Sequence, residues 1–353
     1  MDGVVAAVDI AGTKVGPGHP CFVIAEAGVN HNGSLEIARR LVDMAVETGA
    51  NAVKFQTFKA ERVVTPNAAK ADYQSRATAS SESQREMLRR LELPQEAYRE
   101  LMAYCRERGI LFMSTPFDEE SADFLDGLGM VVFKMPSGEL TNIPFLAHVA
   151  RKGKLMIVST GMSHLGEVET AVRAIRSAGN EGLILLHCIS SYPANPAEAN
   201  LRAMHTMATA FRVPVGYSDH TLGIEVALAA VALGACVIEK HFTSDKKLPG
   251  PDHQASLEPD ELMALVQGIR TVEAALGHGR KEPAPSEANT TAVARRSLVA
   301  ARDIAMGRTL TGELIAIQRP GTGLPPSLMS QVIGRVAAKD IPAGTVLTLE
   351  MLR

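Results

Sequence analysis

Charged and hydroxyl-bearing residues recur at the ends of short apolar runs in this chain. Glu26 follows FVIA, and Lys54 and Gln56 are set into AVKFQT. Ser114 and Thr115 close LFMST, and Lys134, Ser137 and Glu139 punctuate VFKMPSGE. Ser159 and Thr160 close IVST, His187, Ser190 and Tyr192 follow LILL, Ser218, Asp219 and His220 follow VGY, and Glu239 and His241 end VIEKH. Lys54 and Lys134 have apolar neighbours on both sides, and a buried lysine without an anion is costly. Each therefore pairs with a glutamate such as Glu26 or Glu239, or meets an anionic ligand. The many Ser and Thr hydroxyls, with Gly138 and Gly161 nearby, favour a ligand, because phosphate and carboxylate seek short hydroxyls, backbone N–H groups and one or two cations. A ligand with more than one anionic group would use both lysines. His220 and His241, with Glu239, Asp219 and Glu26 nearby, suit a divalent metal site with open positions for water or substrate. The competing reading makes one histidine a general base and the other a hydrogen-bonded partner. His187 reads as a packing residue, and His31, on a loop, as either.

These residues need a scaffold that brings eight strand ends together. The runs CFVIAEA (21–27), NAVKFQTF (51–58), ILFMST (110–115), VVFKMPS (131–137), LMIVST (155–160), LILLHC (183–188), VPVGYS (213–218) and CVIEKHF (236–242) are short and apolar, like strands buried on both faces. Amphipathic, helix-like segments separate them: 34–48, with Ser34 as N-cap and Gly49 as stop, then 94–108, 119–128, 143–152, 165–178, 197–210, 224–233 and 259–276. Eight β-then-α units over residues 22–276 predict one α/β domain, a (β/α)8 TIM barrel with its site at the C-terminal strand ends. A doubly wound open sheet is the alternative, but AEAGVNHNG is a poor match to its glycine-rich phosphate turn. The long polar connection 59–84 is expected to hold a short helix of its own.

Composition shifts at Gly277. Residues 278–294 read as a linker between a barrel domain (1–277) and a small β-rich domain (295–353). That tail contains a repeat: VAARDIAMGRTLT (299–311) aligns with VAAKDIPAGTVLT (336–348) without gaps. A unit this small has a marginal core of its own.

The formal net charge is −3 without a basic run, so neither nucleic acid nor an anionic membrane surface is signalled. No stretch suits a membrane span, and the first 18 residues do not resemble a signal peptide. The four cysteines lack CxxC spacing, as reduced, mostly buried thiols of a cytoplasmic protein would.

Taken in order, FVIAEAGVNHNG (22–33), VKFQTF (53–58), STPFD (114–118), FKMPSGE (133–139), VSTGM (158–162), GYSDHT (216–221), EKHF (239–242) and GPDHQASLEPDEL (250–262) resemble the sialic acid synthase family of PEP-dependent nonulosonic acid synthases. RRSLVAARDI (295–304), RPGTG (319–323) and DIPAGTVL (340–347) are similar to the antifreeze-like (SAF) domain that closes such enzymes. The resemblance implies condensation of phosphoenolpyruvate (PEP) with the open-chain aldehyde of an N-acylated amino sugar, releasing phosphate by C–O cleavage. A divalent ion, Mn2+ or a substitute such as Mg2+ or Co2+, would activate the aldehyde.

Position by position, the resemblance makes His220 and His241 the metal ligands. It gives PEP to Lys54, Thr115, Lys134, Ser137, Ser159 and Ser218, and Ser190, at a position that holds Asn or Thr in other members, could add one hydrogen bond to phosphate. The sugar falls to Gln56, Glu139, Tyr192 and Asp252. Glu26 and Glu239 would lie beside the metal and its water, Glu26 as the proton-transfer candidate. Arg319 would reach the sugar in the other subunit of a homodimer that exchanges its SAF domains. Two departures stand out: Ile189 in HCISSYP (187–193) replaces a usual Thr, and Val293 and Ala294 stand where some members carry an aromatic. The implied substrate is N-acetylmannosamine, giving N-acetylneuraminate. The alternative is 2,4-diacetamido-2,4,6-trideoxymannose, giving N,N'-diacetyllegionaminate. Other classes are an inactive sugar-binding barrel and an aldolase with a Schiff-base lysine, Lys54 or Lys134.

Overall fold

The computed structural model describes residues 5–78 and 82–353. Residues 1–4 of the expected leaderless N-terminus and 79–81 of the long connection lie outside the described residues. The chain divides into two compact units, Met1–Gly277 and His278–Arg353.

The first unit opens with a hairpin, β1 (Val8–Ile10) and β2 (Thr13–Val15). Eight strands follow: β3 (Phe22–Gly28), β4 (Ala52–Thr57), β5 (Leu111–Pro116), β6 (Val132–Met135), β7 (Leu155–Ser159), β8 (Leu183–Cys188), β9 (Val215–Asp219) and β10 (Val237–His241). Their spatial order is β5-β4-β3-β10-β9-β8-β7-β6, and every hydrogen-bonded neighbour is parallel. The end strands β5 and β6 lie against each other, so the sheet is barrel-like. Between successive strands run helices, the principal ones at Leu35–Glu47, Gln95–Arg108, Glu119–Gly127, Ile143–Ala150, Leu165–Ser177, Ala203–Phe211, Glu225–Ala232 and Pro259–Leu276.

Strand alternation sorts the side chains into layers. Outward residues such as Val23, Phe55, Phe133, Val158 and Ile238 join the helices in the main core. Inward residues near the strand starts, including Phe22, Ile24, Met113, Ile157, Ile184 and Val237, form a second apolar cluster. Ile10 and Val15 of the hairpin belong to that cluster, so β1 and β2 stopper the N-terminal end of the barrel. Two residues further along, the inward positions turn polar in every strand but β8, where Leu186 continues the apolar cluster, and the site begins there.

The helix signals act as their chemistry requires. Ser34 Oγ accepts from Ile37 N at 3.4 Å, and Gly109 ends its helix at φ +73°, a conformation open to glycine. The expected single helix over 197–210 is instead a 3-10 turn (Pro196–Glu198) and a helix (Ala203–Phe211), because Asn200 turns to φ +42° between them. The long connection carries short helices at Ala60–Val63 and Asp72–Ala77, followed by Gln84–Leu91, which Ser83 and Glu86 start with a capping box.

The second unit pairs β11 (Ser297–Ala300) with β12 (Ile315–Gln318). Its sequence repeat is a structural pseudo-twofold. Asp303 Oδ1 accepts from Ala343 N, and Asp340 Oδ1 from Met306 N, both at 2.7 Å. Ile304 and Ile341 exchange backbone bonds at 2.9 and 2.8 Å. Leu298, Ile304, Leu310, Ile341 and Leu347 lie in its core. The segment read as a linker holds a short helix, Ala288–Ala294. Among the described residues no helix is long and apolar enough to cross a membrane.

Candidate active site

Above the apolar plug, four buried charges share the barrel floor. Lys54 Nζ lies 2.6 Å from Glu26 Oε2, 2.8 Å from Thr115 Oγ1 and 3.7 Å from Glu239 Oε2. Lys134 Nζ lies 3.2 Å from Glu239 Oε1, which also accepts from Ser218 Oγ at 3.0 Å. The pairing alternative for the lysines is therefore realised, and the same groups face a cavity of about 440 Å3. Their environments pull the two acids apart. Burial pushes Glu26 up to about 7, against the opposing pull of Lys54. Burial also acts on Glu239, but Lys134 and Lys54 outweigh it and hold its carboxyl low. One carboxyl able to carry a proton near neutrality thus stands beside one that stays ionised, an arrangement suited to proton transfer. Burial lowers Lys134, whereas in Lys54 the two glutamates outweigh burial and raise it.

On the side of β6, β7 and β8 the floor rises into a cradle of small donors. Ser137 Oγ accepts from Gly161 N at 3.0 Å and lies 3.1 Å from Cys188 Sγ. Ser159 Oγ is buried and has no hydrogen-bond partner among the described residues. Ser190 lines the same space. A phosphate-sized anion is the group these donors suit.

At the ends of β9 and β10, His220 and His241 approach with ring centroids 5.6 Å apart. His220 Nδ1 donates to the Ile189 carbonyl at 2.7 Å, which leaves Nε2 with a free lone pair. A carbonyl serves here, so Ile189 makes this contact whatever its side chain. His241 Nδ1 is buried without a hydrogen-bond partner among the described residues, 3.9 Å from Asp252 Oδ2. Burial holds His220 down at about 4 and His241 well below its ordinary value, so both imidazoles are neutral, as ligation requires. Burial pushes Asp252 up to about 6. Tyr192 packs over His220 at 4.2 Å between centroids and stacks on Tyr73 of the long connection at 4.9 Å.

The cavity lining takes in Gln56, Tyr192 and Asp252 with Glu26, Lys54, Thr115, Lys134, Ser137, Ser159, Ser190, Ser218, His220, Glu239 and His241. Glu139 is not in that lining; it accepts from Asn142 Nδ2 at 2.7 Å at the start of the next helix. Arg319 belongs to the second unit, between β12 and Pro320. Asp219, grouped with the histidines on sequence, points the other way. Its carboxylate takes Lys240 Nζ at 2.7 Å and the Thr221 N–H and hydroxyl at 2.9 and 2.8 Å, all buried behind the sheet. Ser114 likewise faces outward to Thr57, and Thr160 to the Leu186 carbonyl. Lys240 and Tyr73 escaped the sequence reading. The alternation that turns Glu239 and His241 inward would have placed Lys240 outside, whereas no periodic signal marks Tyr73.

A parallel barrel whose ionisable groups gather at one mouth defines a (β/α)8 enzyme acting on a small anionic substrate. Residues 41–281 match the NeuB family and residues 295–353 the SAF domain, and the chain belongs to the NeuB family. The N,N'-diacetyllegionaminic acid synthase of Legionella pneumophila is 50% identical over 334 residues, 94% of each chain. The synthase of the same name from Campylobacter jejuni is 47% identical, over 90% of this chain and 96% of its own. Among solved structures, the N-acetylneuraminic acid (sialic acid) synthetase of Leptospira borgpetersenii in complex with citrate is 36% identical. It aligns with a TM-score of 0.74 over 82% of this chain and 96% of its own.

Proposed function

We propose that this protein condenses PEP with 2,4-diacetamido-2,4,6-trideoxymannose and water, giving N,N'-diacetyllegionaminate and phosphate. The observation that carries this reading is the balance of identity. The two diacetyllegionaminic acid synthases stand at 50% and 47%, and the sialic acid synthetase at 36%. That balance favours the diacetamido sugar over N-acetylmannosamine, which the motifs alone put first.

In the reaction, PEP C3 bonds to the aldehyde carbon, water adds at C2, and the C2–O bond to phosphate breaks. Lys54, Lys134, Thr115 and Ser218 hold the PEP carboxylate and phosphate from the floor, with Ser137, Ser159 and Ser190 from the cradle. Glu26 exchanges the proton, supported by its hold on a proton up to about 7 beside the ionised Glu239. Gln56, Tyr192 and Asp252 position the sugar.

His220 and His241 fit a divalent ion such as Mn2+: both are neutral, one turns its Nε2 lone pair away from the Ile189 carbonyl, and the other has a buried Nδ1 with no hydrogen-bond partner among the described residues. Among the described residues no cluster of three His, Cys, Asp or Glu is poised for a metal, so water and substrate would complete the coordination. When bound, the ion would supply Lewis-acid polarisation of the aldehyde. We also assign the enzyme to the cytoplasm, in keeping with four free, buried thiols, and to a homodimer in which Arg319 serves the partner's sugar site.

Phosphate release with PEP and each sugar is the test. The diacetamido sugar should give the higher kcat/KM; preference for N-acetylmannosamine would reverse the substrate assignment. Failure with both sugars would return the inactive-barrel reading. Borohydride trapping with pyruvate should yield no adduct, since the lysines are engaged by carboxylates rather than free as amines.

A further inference from the structure

The cavity has a second end that the chemistry above leaves unused. Val29, Phe58, Met87 and Leu91 form a buried apolar cluster of their own, and Val63, Leu88 and Phe117 pack against it. These side chains also line the cavity. Phe58 directly follows β4, and Ser190 of the cradle lies just beyond β8. Those two strands are four places apart in the eight-strand order, so the apolar lobe and the cradle face each other across the barrel. Val63 and Leu88 are only half-buried, which leaves apolar surface open to the cavity. Such surface is unfavourable in water and is characteristic of a wall that a ligand covers. Amides stand at its margin: Gln74 and Gln84 line the cavity with Gln56, and Gln84 Nε2 lies 3.4 Å from Gln74 Oε1. Tyr73, one residue before Gln74, stacks on Tyr192, which in turn packs on His220.

A fully hydroxylated sugar tail can bond the amides at the rim but has nothing to offer the apolar wall. Acetamido and methyl groups have both halves of the match, a methyl for the wall and an amide for the glutamines. With the aldehyde held at His220 and His241, the acetamido group at C2 stays near that end, and C4 to C6 extend away from it.

We propose that the lobe bounded by Phe58, Val63, Met87, Leu88, Leu91 and Phe117 seats the C4 acetamido and C6 methyl groups of the sugar, and so sets the preference for the diacetamido trideoxy substrate. This rests on the synthase reading above. Selectivity then resides in the connection between β4 and β5, while PEP and the aldehyde are handled by the strand ends.

The test uses the full-length protein with Val63→Thr, which keeps the side-chain shape and adds a hydroxyl, and separately Leu88→Asn. The expected result is a fall of about tenfold in kcat/KM for 2,4-diacetamido-2,4,6-trideoxymannose, with KM for PEP and kcat/KM for N-acetylmannosamine held within about twofold of wild type. An unchanged value for the diacetamido sugar overturns the proposal. A matching loss with both sugars, or a parallel rise in the PEP KM, overturns it too, because the lobe would then be acting on the whole barrel. A wild-type protein that uses the diacetamido sugar while both variants match it refutes only the lobe; one that releases no phosphate with either sugar refutes the synthase reading and the lobe together.

Discussion

A β-carbon at Gly161 would meet Ser137 Oγ and Cys188 Sγ at 2.9 Å and press on Ser190 Oγ as well. The space beside this residue is the cradle itself. Gly161→Ala should therefore raise the KM for PEP by about tenfold or more while the protein stays folded, because one lost charge-assisted hydrogen bond is worth ~1.5–3 kcal/mol. Steady-state kinetics checks this, and an unchanged KM would remove the anion from the cradle. His31 and His253 give a different residue-scale prediction. Both are fully buried, and burial lowers each from 6.5 to about 4. Between those values the unfolded chain binds protons that the folded chain refuses, so the contribution of these two imidazoles to stability falls as pH drops from about 6.5 and stops falling below about 4. Each imidazole contributes about 3 kcal/mol to that loss, from ~1.4 kcal/mol per pH unit. Urea midpoints across this range should show the slope, and His31→Gln should flatten it.

The strands carry the site through their alternation, and that is also what the sequence made legible. Eight apolar runs with polar ends mark the barrel because strands covered on both faces have to be apolar along their length. Lys54 and Lys134 stand out because nothing apolar explains them. The hairpin β1–β2 left no comparable trace, since three-residue strands are too short for a period. Asp219 and Lys240 were misjudged or passed over because proximity in sequence to a histidine says nothing about which face a side chain takes. Their pair ties β9 to β10 directly behind His220 and His241, with both side chains fully buried. Lys240→Met should destabilise the protein by about 3–5 kcal/mol, since it strands a buried carboxylate, and adding Asp219→Asn should restore part of the loss. Thermal melts of the two single variants and the double variant test this; additive losses would mean the two residues are not coupled.

At the scale of the whole chain, the two units have separate cores, and the second builds its own from a repeated half. The reciprocal Asp303 and Asp340 bonds tie its two halves together. If Arg319 completes a partner's sugar site, Arg319→Ala should raise the sugar KM about tenfold and leave the PEP KM near wild type, the loss of one charged hydrogen bond. Wild-type sugar kinetics would confine Arg319 to its own domain. The stoppered barrel has a kinetic meaning as well. Ile10 and Val15 close the far end, so among the described residues the charged floor lies between that apolar plug and the strand-end mouth. If PEP rests on Lys54 and Lys134 as proposed, it has to come in first, and a sugar held under Tyr73 and Tyr192 follows and shuts it in. Order of arrival becomes a property of the architecture, and product inhibition patterns would display it without any moving part.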